Sequence, residues 1–296
     1  MANIRTRGER AFGVFNIALL VLICVITIYP LWHVIMASFS DPSVVYSDRG
    51  VYLWPKGALN IKGYIQVFQN PNIVTGFGNT IFFVVLGTVM CMFVTILGAY
   101  VLSRKGLYWN GKILKLIIFT MYFQGGLIPF YIQTKNMGLI DNRMSIILPV
   151  LVNTWNLIIM RTSFANISDS LIESAKIDGA SDWRIIWQIV VPVSKATIAV
   201  IALYYAVGFW NQWFNPSIFL NTKSKWPIQL VLREILLKNA TNSMTQVSSV
   251  GQTGSQMYRI LIQYCTIVVA TVPILVVYPF IQKYFVSGIM IGSLKE

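Results

Sequence analysis

Six long apolar stretches leave this sequence few ways to fold. They cover about residues 11–37, 76–102, 113–134, 144–164, 196–220 and 262–286. A helix that crosses the hydrocarbon core of a bilayer needs roughly 20 mostly apolar residues. Of the 296 residues, only 11% are charged, against roughly 25% in an ordinary soluble domain. The sequence therefore predicts an all-α integral membrane protein with six transmembrane helices, in a single domain over residues 1–296.

Two of these stretches contain helix-breaking residues. The third holds Gly125, Gly126 and Pro129, and the sixth holds Pro273 and Pro279. Such residues are tolerated in a membrane where neighbouring helices satisfy the freed backbone groups. We therefore predict a packed bundle in which the third and sixth spans are interrupted, rather than a set of independent anchors.

The distribution of Lys and Arg predicts the orientation, because these residues concentrate on the cytoplasmic side of short loops. Three arginines precede the first span, which is too long for a cleaved signal sequence and is interpreted as a retained anchor. The turn after the second span carries four basic residues and no acidic one: Arg104, Lys105, Lys112 and Lys115. Both termini and a polar loop at 168–192 are therefore expected in the cytoplasm. The loops at 38–75 and 221–261 are expected outside, the latter polar and exposed.

The charged residues argue against several functions. All ten acidic residues lie outside the six spans, whereas ion-coupled carriers usually keep an ionisable residue near the midplane. The net charge of +13 does not indicate nucleic-acid binding, because the basic residues cluster at the ends of apolar stretches. No catalytic or metal-binding motif is present. An enzyme, a cofactor or a metal site in this chain is therefore not expected. An ion-coupled secondary carrier or a channel stays open as an alternative.

The polar loop at 168–192 begins with the pattern of a short helix and a turn. Ser170 and Glu173 have the spacing of a capping box, which predicts a helix over about 170–177. The Asp178-Gly179 pair follows, and glycine adopts positive φ without steric cost. We therefore predict that the first helix ends in a tight turn at Gly179.

A second helix is expected from about Ser181. Four apolar residues then recur at helical spacing and should form one stripe: Trp183, Ile186, Trp187 and Val190. Pro192 is expected to break or bend the chain before the fifth span. An amphipathic hairpin lying on lipid headgroups and a docking surface for a protein are both compatible with this pattern.

The same loop resembles the signature of permease subunits of ATP-binding-cassette (ABC) importers. The family motif is E-A-A, three residues, G, nine residues, I, one residue, L-P. This chain has Glu173-Ser174-Ala175, then Gly179, Ile189 and Val191-Pro192 at that spacing. In such proteins the hairpin fits a cleft on an ATPase and transmits its closure. The resemblance thus implies an ATPase-coupling role for a set of six residues: Glu173, Ser174, Ala175, Asp178, Gly179 and Pro192.

The resemblance covers nearly the whole chain. The stretches 125–131, 137–142 and 210–213 look like the carbohydrate-importer, maltose-importer-like branch, and are most similar to permeases for aldouronate, alginate and related oligosaccharides. This implies a bacterial cytoplasmic (inner) membrane and alternating access for an oligosaccharide, with a uronate as one option. It also implies a second permease subunit, two ATPase subunits that hold the ATP and Mg, and an extracytoplasmic solute-binding protein.

Amide and aromatic side chains inside the spans are candidates for the translocation path. Amides donate and accept hydrogen bonds, as sugar hydroxyls require, and aromatic rings stack on sugar rings. The candidates are Gln124, Tyr131, Asn153, Asn156, Trp210, Asn211 and Asn215. We expect Asn211 and Asn215 to share one face of the fifth span. The alternative is that these amides tie helices together, as polar residues do in membranes.

Overall fold

The computed structural model describes residues 6–48, 50–106, 108–245 and 253–293, and within these ranges all regular structure is helical, as predicted. The helices are α1 (Arg7–Ser38), α2 (Pro42–Ser47), α3 (Lys62–Gln69), α4 (Pro71–Ser103), α5 (Asn110–Tyr122), α6 (Leu127–Asn136), α7 (Met144–Ile147), α8 (Thr154–Ala165), α9 (Asp169–Ile177), α10 (Asp182–Ile185), α11 (Val191–Val193), α12 (Lys195–Trp210), α13 (Phe214–Phe219), α14 (Ile228–Thr245) and α15 (Thr253–Ser293). A π-helical turn at Ile186–Val190 joins α10 to α11.

Three helices are long and apolar enough to cross a membrane without a break: α1, α4 and the Met257–Val276 part of α15. Three further candidates are bent helix pairs. The axes of α5 and α6 differ by 114°, those of Met144–Val150 and α8 by 50°, and those of Asp182–Val193 and α12 by 89°. If each bent pair counts as one span, the described residues contain six, the predicted number.

Two spans that were predicted to be continuous are broken. In the predicted span 144–164 the helix is interrupted before Thr154. There the Asn153 side chain accepts a hydrogen bond from the Asn156 N–H at 3.0 Å and caps a new helix. The predicted span 196–220 ends at Trp210, and α13 starts only at Phe214. Pro216 lies in the first turn of α13, where a missing N–H is tolerated, whereas a continuous helix would lose a backbone bond there.

The third and sixth spans have opposite outcomes. The interruption of the third is confirmed, since α5 ends at Tyr122 and α6 begins after Gly126, whose φ is +83°. The predicted interruption of the sixth at Pro273 and Pro279 is wrong, because α15 runs through both. Prolines persist inside membrane helices where local adjustment satisfies the freed carbonyls.

The predicted exposed loop at 221–261 is largely helical. A 3₁₀ turn at Lys223–Lys225 precedes α14, and Ile228 at the start of α14 is fully buried. Its polar composition was misleading because, among the described side chains at 228–237, the buried ones lie in the first turns of the helix. Residues 246–252 of this loop, and the chain ends at 1–5 and 294–296, lie outside the described residues.

The chain divides into two compact units. One comprises Met1–Asn70 with Glu234–Val272. It packs around Ala37, Val45 and Tyr52, and the Ser38 and Tyr64 hydroxyls lie 2.6 Å apart within it. Its Cys265 is buried, as expected for a cysteine that acts as a small apolar residue.

The second unit comprises Pro71–Arg233 with Pro273–Glu296. Its apolar core draws buried residues from α4, α8, α9, α10 and α12. Helices α4 and α12 pack tightly against each other, so that a Cβ on Gly87 would lie 2.6 Å from the ring of Phe209. The buried hydroxyls of Thr95 and Tyr205 form a hydrogen bond of 2.9 Å between the same two helices. This unit contains every predicted site residue.

Candidate functional site

The first helix of the hairpin has the predicted bounds to within one residue, but a different residue precedes it. We call residues 169–193, from α9 through α11, the hairpin. Helix α9 starts at Asp169 with Ser168 in the cap position. Ser170 lies in the first turn, and its hydroxyl is 2.7 Å from that of Ser168. The predicted capping box of Ser170 and Glu173 is therefore wrong, because the helix start that it requires lies inside the helix.

The predicted turn at Gly179 is confirmed. Its φ is +78°, a conformation that side chains with a Cβ rarely adopt. The Ala180 N–H donates to the Ala175 carbonyl at 2.9 Å and closes the end of α9. The second helix starts at Asp182, with the Ser181 side chain accepting a hydrogen bond from the Arg184 N–H. Both results agree with the sequence.

The bend before α12 is misplaced in the prediction. The chain stays helical through Pro192 and turns by 89° at Ser194. The π-helical turn at Ile186–Val190 precedes the proline, and such wider turns interrupt the regular bonding that a proline would otherwise break. The predicted apolar stripe is only partly buried: Ile186 and Val190 are buried, whereas Trp183 is 56% exposed.

The motif residues divide between a surface and the core. Glu173, Ser174, Asp178 and Gly179 are exposed, next to Ile177, which is 86% exposed. Ala175 is buried in the core of the unit, where a larger side chain would not fit without repacking. Pro192 is exposed. The hairpin therefore presents an acidic and apolar surface from a firmly packed base.

Two polar contacts attach the hairpin to the end of α4. Lys105 forms an ion pair with Asp169 at 2.9 Å, and its hydrogen bond holds the pKa of that carboxyl below the usual value. The Tyr100 hydroxyl donates to Asp182 at 2.9 Å. Asp169 is exposed, so the ion pair contributes little stability, and the part-buried Tyr100–Asp182 bond is the stronger link between the hairpin and α4.

A cavity of about 210 Å³ lies where α8 begins and α12 ends. It is lined by two asparagines, a glutamine and two tyrosines, together with three other residues. The lining residues are Val150, Asn153, Asn156, Tyr204, Tyr205, Gly208, Phe209 and Gln212. This combination of amides, hydroxyls and aromatic rings suits a sugar better than an ion or an apolar ligand.

Only two of the seven predicted path residues, Asn153 and Asn156, line this cavity. Asn211 follows the last residue of α12 and Asn215 belongs to α13, so the prediction that they share one helix face is wrong. The Trp210 ring is tilted against the ring of Phe77, with centroids 6.4 Å apart.

The two candidates from the third predicted span also lie elsewhere. Gln124 is exposed in the break between α5 and α6. Tyr131 stacks on Phe219, with ring centroids 6.1 Å apart. For these residues and for Trp210, Asn211 and Asn215, a role in the path stays a prediction.

Four further lining residues were not predicted from the sequence: Tyr204, Tyr205, Gly208 and Gln212. A signal was present, because Tyr204 and Gly208 are four residues apart and share one face of α12. Gln212 continues that spacing just beyond the helix. Without the neighbouring α8, this face could not be distinguished from one that meets lipid.

Residues 106–291, which include both the hairpin and the cavity, match a protein family described as the inner membrane component of binding-protein-dependent transport systems. The chain belongs to this family. The predicted importer permease is therefore confirmed, and the permease is a transport component rather than an enzyme. The comparisons give no support to the alternative of a secondary carrier.

The permease is similar to named relatives over nearly its whole length. It is 39% identical over 293 residues to protein LplC of Bacillus subtilis (strain 168), which covers 98% of this chain and 97% of the relative. It is also 39% identical to the polygalacturonan/rhamnogalacturonan transport system permease protein YtcP of the same organism, over 97% of this chain and 99% of that one.

A solved structure also resembles the permease over nearly the whole length of the chain. It is a bacterial ABC transporter involved in the import of the acidic polysaccharide alginate. One of its chains is 30% identical to the permease, with a TM-score of 0.86, over 96% of this chain and all of that chain. The similarity in both sequence and fold agrees with the predicted six-span ABC permease architecture.

Proposed function

We propose that this permease belongs to an ATP-driven importer that carries an acidic oligosaccharide of the uronate type across the inner membrane. The observation that carries the proposal is the near-complete overlap with two proteins named for acidic polymers, polygalacturonan and alginate. The importer would contain a second permease subunit, two ATPase subunits that bind ATP and Mg, and a solute-binding protein outside. Both termini and the hairpin face the cytoplasm in this arrangement.

The hairpin supplies the coupling step. Its exposed surface, with Glu173, Asp178 and Ile177, would fit a cleft on the ATPase. ATP binding closes the ATPase pair and displaces the hairpin. The displacement reaches α12 through the bend at Ser194 and reaches α4 through Tyr100. The movement of these helices then converts the pathway from inward-facing to outward-facing. This is an equilibrium between two states that the ATPase shifts by binding ATP.

The charge of the outward loops supports an acidic substrate or an acidic partner surface. The regions 38–75, 135–143 and 221–261 together carry ten basic and four acidic residues. One of the basic residues, Lys225, is already engaged by Asp141 at 2.8 Å. The remaining excess attracts anions, and this attraction weakens as salt is added.

Reconstitution tests the proposal. The permease would be placed in vesicles with its second permease, ATPase subunits and binding protein. Uptake and ATP hydrolysis would be measured with trigalacturonate and with a neutral trisaccharide. We expect ATP-dependent uptake of trigalacturonate only. Preference for the neutral sugar would overturn the substrate assignment, and accumulation by the permease without any ATPase would overturn the coupling and favour a secondary carrier.

A further inference from the structure

The lining of the cavity between α8 and α12 contains a polar group that protein contacts do not satisfy. The side-chain oxygen of Gln212 is fully buried and has no hydrogen-bond partner in the described part of the chain. Leaving such a group unpaired costs about 1–3 kcal/mol. Asn156, which is only 5% exposed, lines the same cavity. An unsatisfied amide oxygen beside a second, buried amide indicates a place for a polar ligand.

The size and shape of the cavity limit that ligand. At about 210 Å³, the cavity is smaller than the roughly 300 Å³ at which sites for drug-sized molecules begin. It therefore suits one sugar ring of a longer chain. Gly208 keeps the wall open, because a Cβ at this position would meet no atom within 4 Å. The ring of Phe209 in the same lining provides an apolar face for the C–H groups of a sugar.

The electrostatics of the cavity favour a carboxylate. No lining residue carries a charge. Helix α8, 12 residues long, starts at Thr154, directly after the capping residue Asn153 in the wall, and the N-terminal end of a helix carries a partial positive charge. The Asn153 N–H itself donates to the Tyr205 hydroxyl at 3.3 Å, which holds the helix end in place. A partial charge attracts an anion without binding it so tightly that it cannot leave.

We infer that this cavity is a subsite on the permease itself for a single uronate ring of the passing oligosaccharide. Asn156 and Gln212 bond the ring hydroxyls, and the N-terminal end of α8 faces the carboxylate. The inference rests on the proposed function, and it adds that this subunit contacts the sugar directly rather than only enclosing a path formed by its partner.

The test uses the complete importer in vesicles, with uptake of trigalacturonate and of its methyl ester, which has no charge, as the measurements. Gly208→Val fills the cavity from an open position. Asn156→Asp adds a negative charge of nearly the same shape. Gly78→Val is the matched control, since a Cβ on Gly78 would also meet no atom within 4 Å, but Gly78 lies on the exposed face of α4.

We expect both cavity variants to raise KM for trigalacturonate by about tenfold, the effect of losing one or two hydrogen bonds. Asn156→Asp should affect the methyl ester less, because the added charge repels only the carboxylate. Gly78→Val should transport like the unaltered permease. Unchanged KM in both cavity variants would overturn the subsite while leaving the proposed function intact.

Two further outcomes are decisive. If the unaltered importer does not take up trigalacturonate at all, both the proposed function and the subsite are overturned. If Gly208→Val does not assemble with its partners, as judged by co-purification, the milder variant Gly208→Ala replaces it. An unaltered KM for trigalacturonate in both single variants, Gly208→Ala and Asn156→Asp, would then overturn the subsite.

Discussion

The Tyr100 hydroxyl donates a hydrogen bond to the Asp182 carboxylate across 2.9 Å, and so joins the last turn of α4 to the start of α10. Lys176 lies 3.7 Å from the same carboxylate, and the Arg104 guanidinium lies 5.1 Å from the centroid of the Tyr100 ring. The hairpin is therefore attached to α4 as well as continuous with α12. The proposed displacement of the hairpin would therefore act on two of the membrane helices that form the core of their unit.

Removal of the hydrogen bond between Tyr100 and Asp182 should uncouple ATP hydrolysis from transport. Tyr100→Phe deletes only the hydroxyl, and a hydrogen bond to a charged group contributes about 1.5–3 kcal/mol. We expect the reconstituted importer to hydrolyse several times more ATP per sugar imported. Tyr108→Phe is the matched control, because Tyr108 is 96% exposed. An unchanged ratio of ATP to sugar in Tyr100→Phe would show that the bond transmits nothing.

The turn at Gly179 provides a second test of coupling. Alanine at φ +78° is strained by about 1–3 kcal/mol, so Gly179→Ala should shift the turn and lower binding-protein-stimulated ATP hydrolysis. Gly138→Ala is an equivalent change, because Gly138 has φ +68° and both sites are free of atoms within 4 Å of the added Cβ. We expect Gly138→Ala to lose similar stability but to keep coupling. Equal loss of coupling in both variants would assign the effect to misfolding.

The hairpin shows which features the sequence could predict. The turn depends on one residue, Gly179, and its position was correct. The bounds of α9 were also predicted to within one residue, but the capping box was wrong because Ser168 rather than Ser170 precedes the helix. The bend was predicted at Pro192 but lies at Ser194. The π-helical turn that precedes the proline has no simple sequence spacing from which it could have been predicted.

The spans show a different limit. The breaks at Asn153 and before Pro216 have recognisable signals, a capping residue and a proline, but an apolar window of 20 residues averages over them. The cavity depends on Asn153 and Tyr205 meeting across two helices, with the Asn153 N–H 3.3 Å from the Tyr205 hydroxyl, and no periodicity within one helix predicts that contact. The number of spans was therefore predictable, whereas the site that their breaks create was not.

The packing of α4 on α12 should be sensitive to a single methyl group. A Cβ on Gly87 would lie 2.6 Å from the Phe209 ring, which is only 4% exposed. Gly87→Ala should therefore destabilise the permease by about 1–3 kcal/mol, as overpacking of a core does. Gly78→Ala adds the same methyl group to α4 where nothing lies within 4 Å. Thermal unfolding of the purified complex should separate the two variants, and equal melting temperatures would contradict this packing.

The ion pair between Asp141 and Lys225 should make the free energy of unfolding depend on pH only under acidic conditions. The Asp141 carboxylate accepts hydrogen bonds from Lys225 at 2.8 Å and from the Thr222 hydroxyl at 2.6 Å. The Lys225 bond above all, and then those from Thr222, hold the pKa of Asp141 well below its ordinary value. A carboxyl whose pKa is lowered by folding stabilises the native state fully above the unfolded pKa of about 4 and loses that contribution as pH falls further.

Asp141→Asn keeps the shape of the side chain and removes its charge, so the melting temperature of the complex should fall by a few degrees at pH 7. The difference from the unaltered permease should stay constant between pH 5 and 8 and should narrow below about pH 4, where the native carboxylate begins to lose its advantage. Asp178→Asn is the control, because that side chain is exposed in the hairpin turn. A difference that grows in acid would have the wrong sign for a lowered pKa and would exclude this ion pair as the cause.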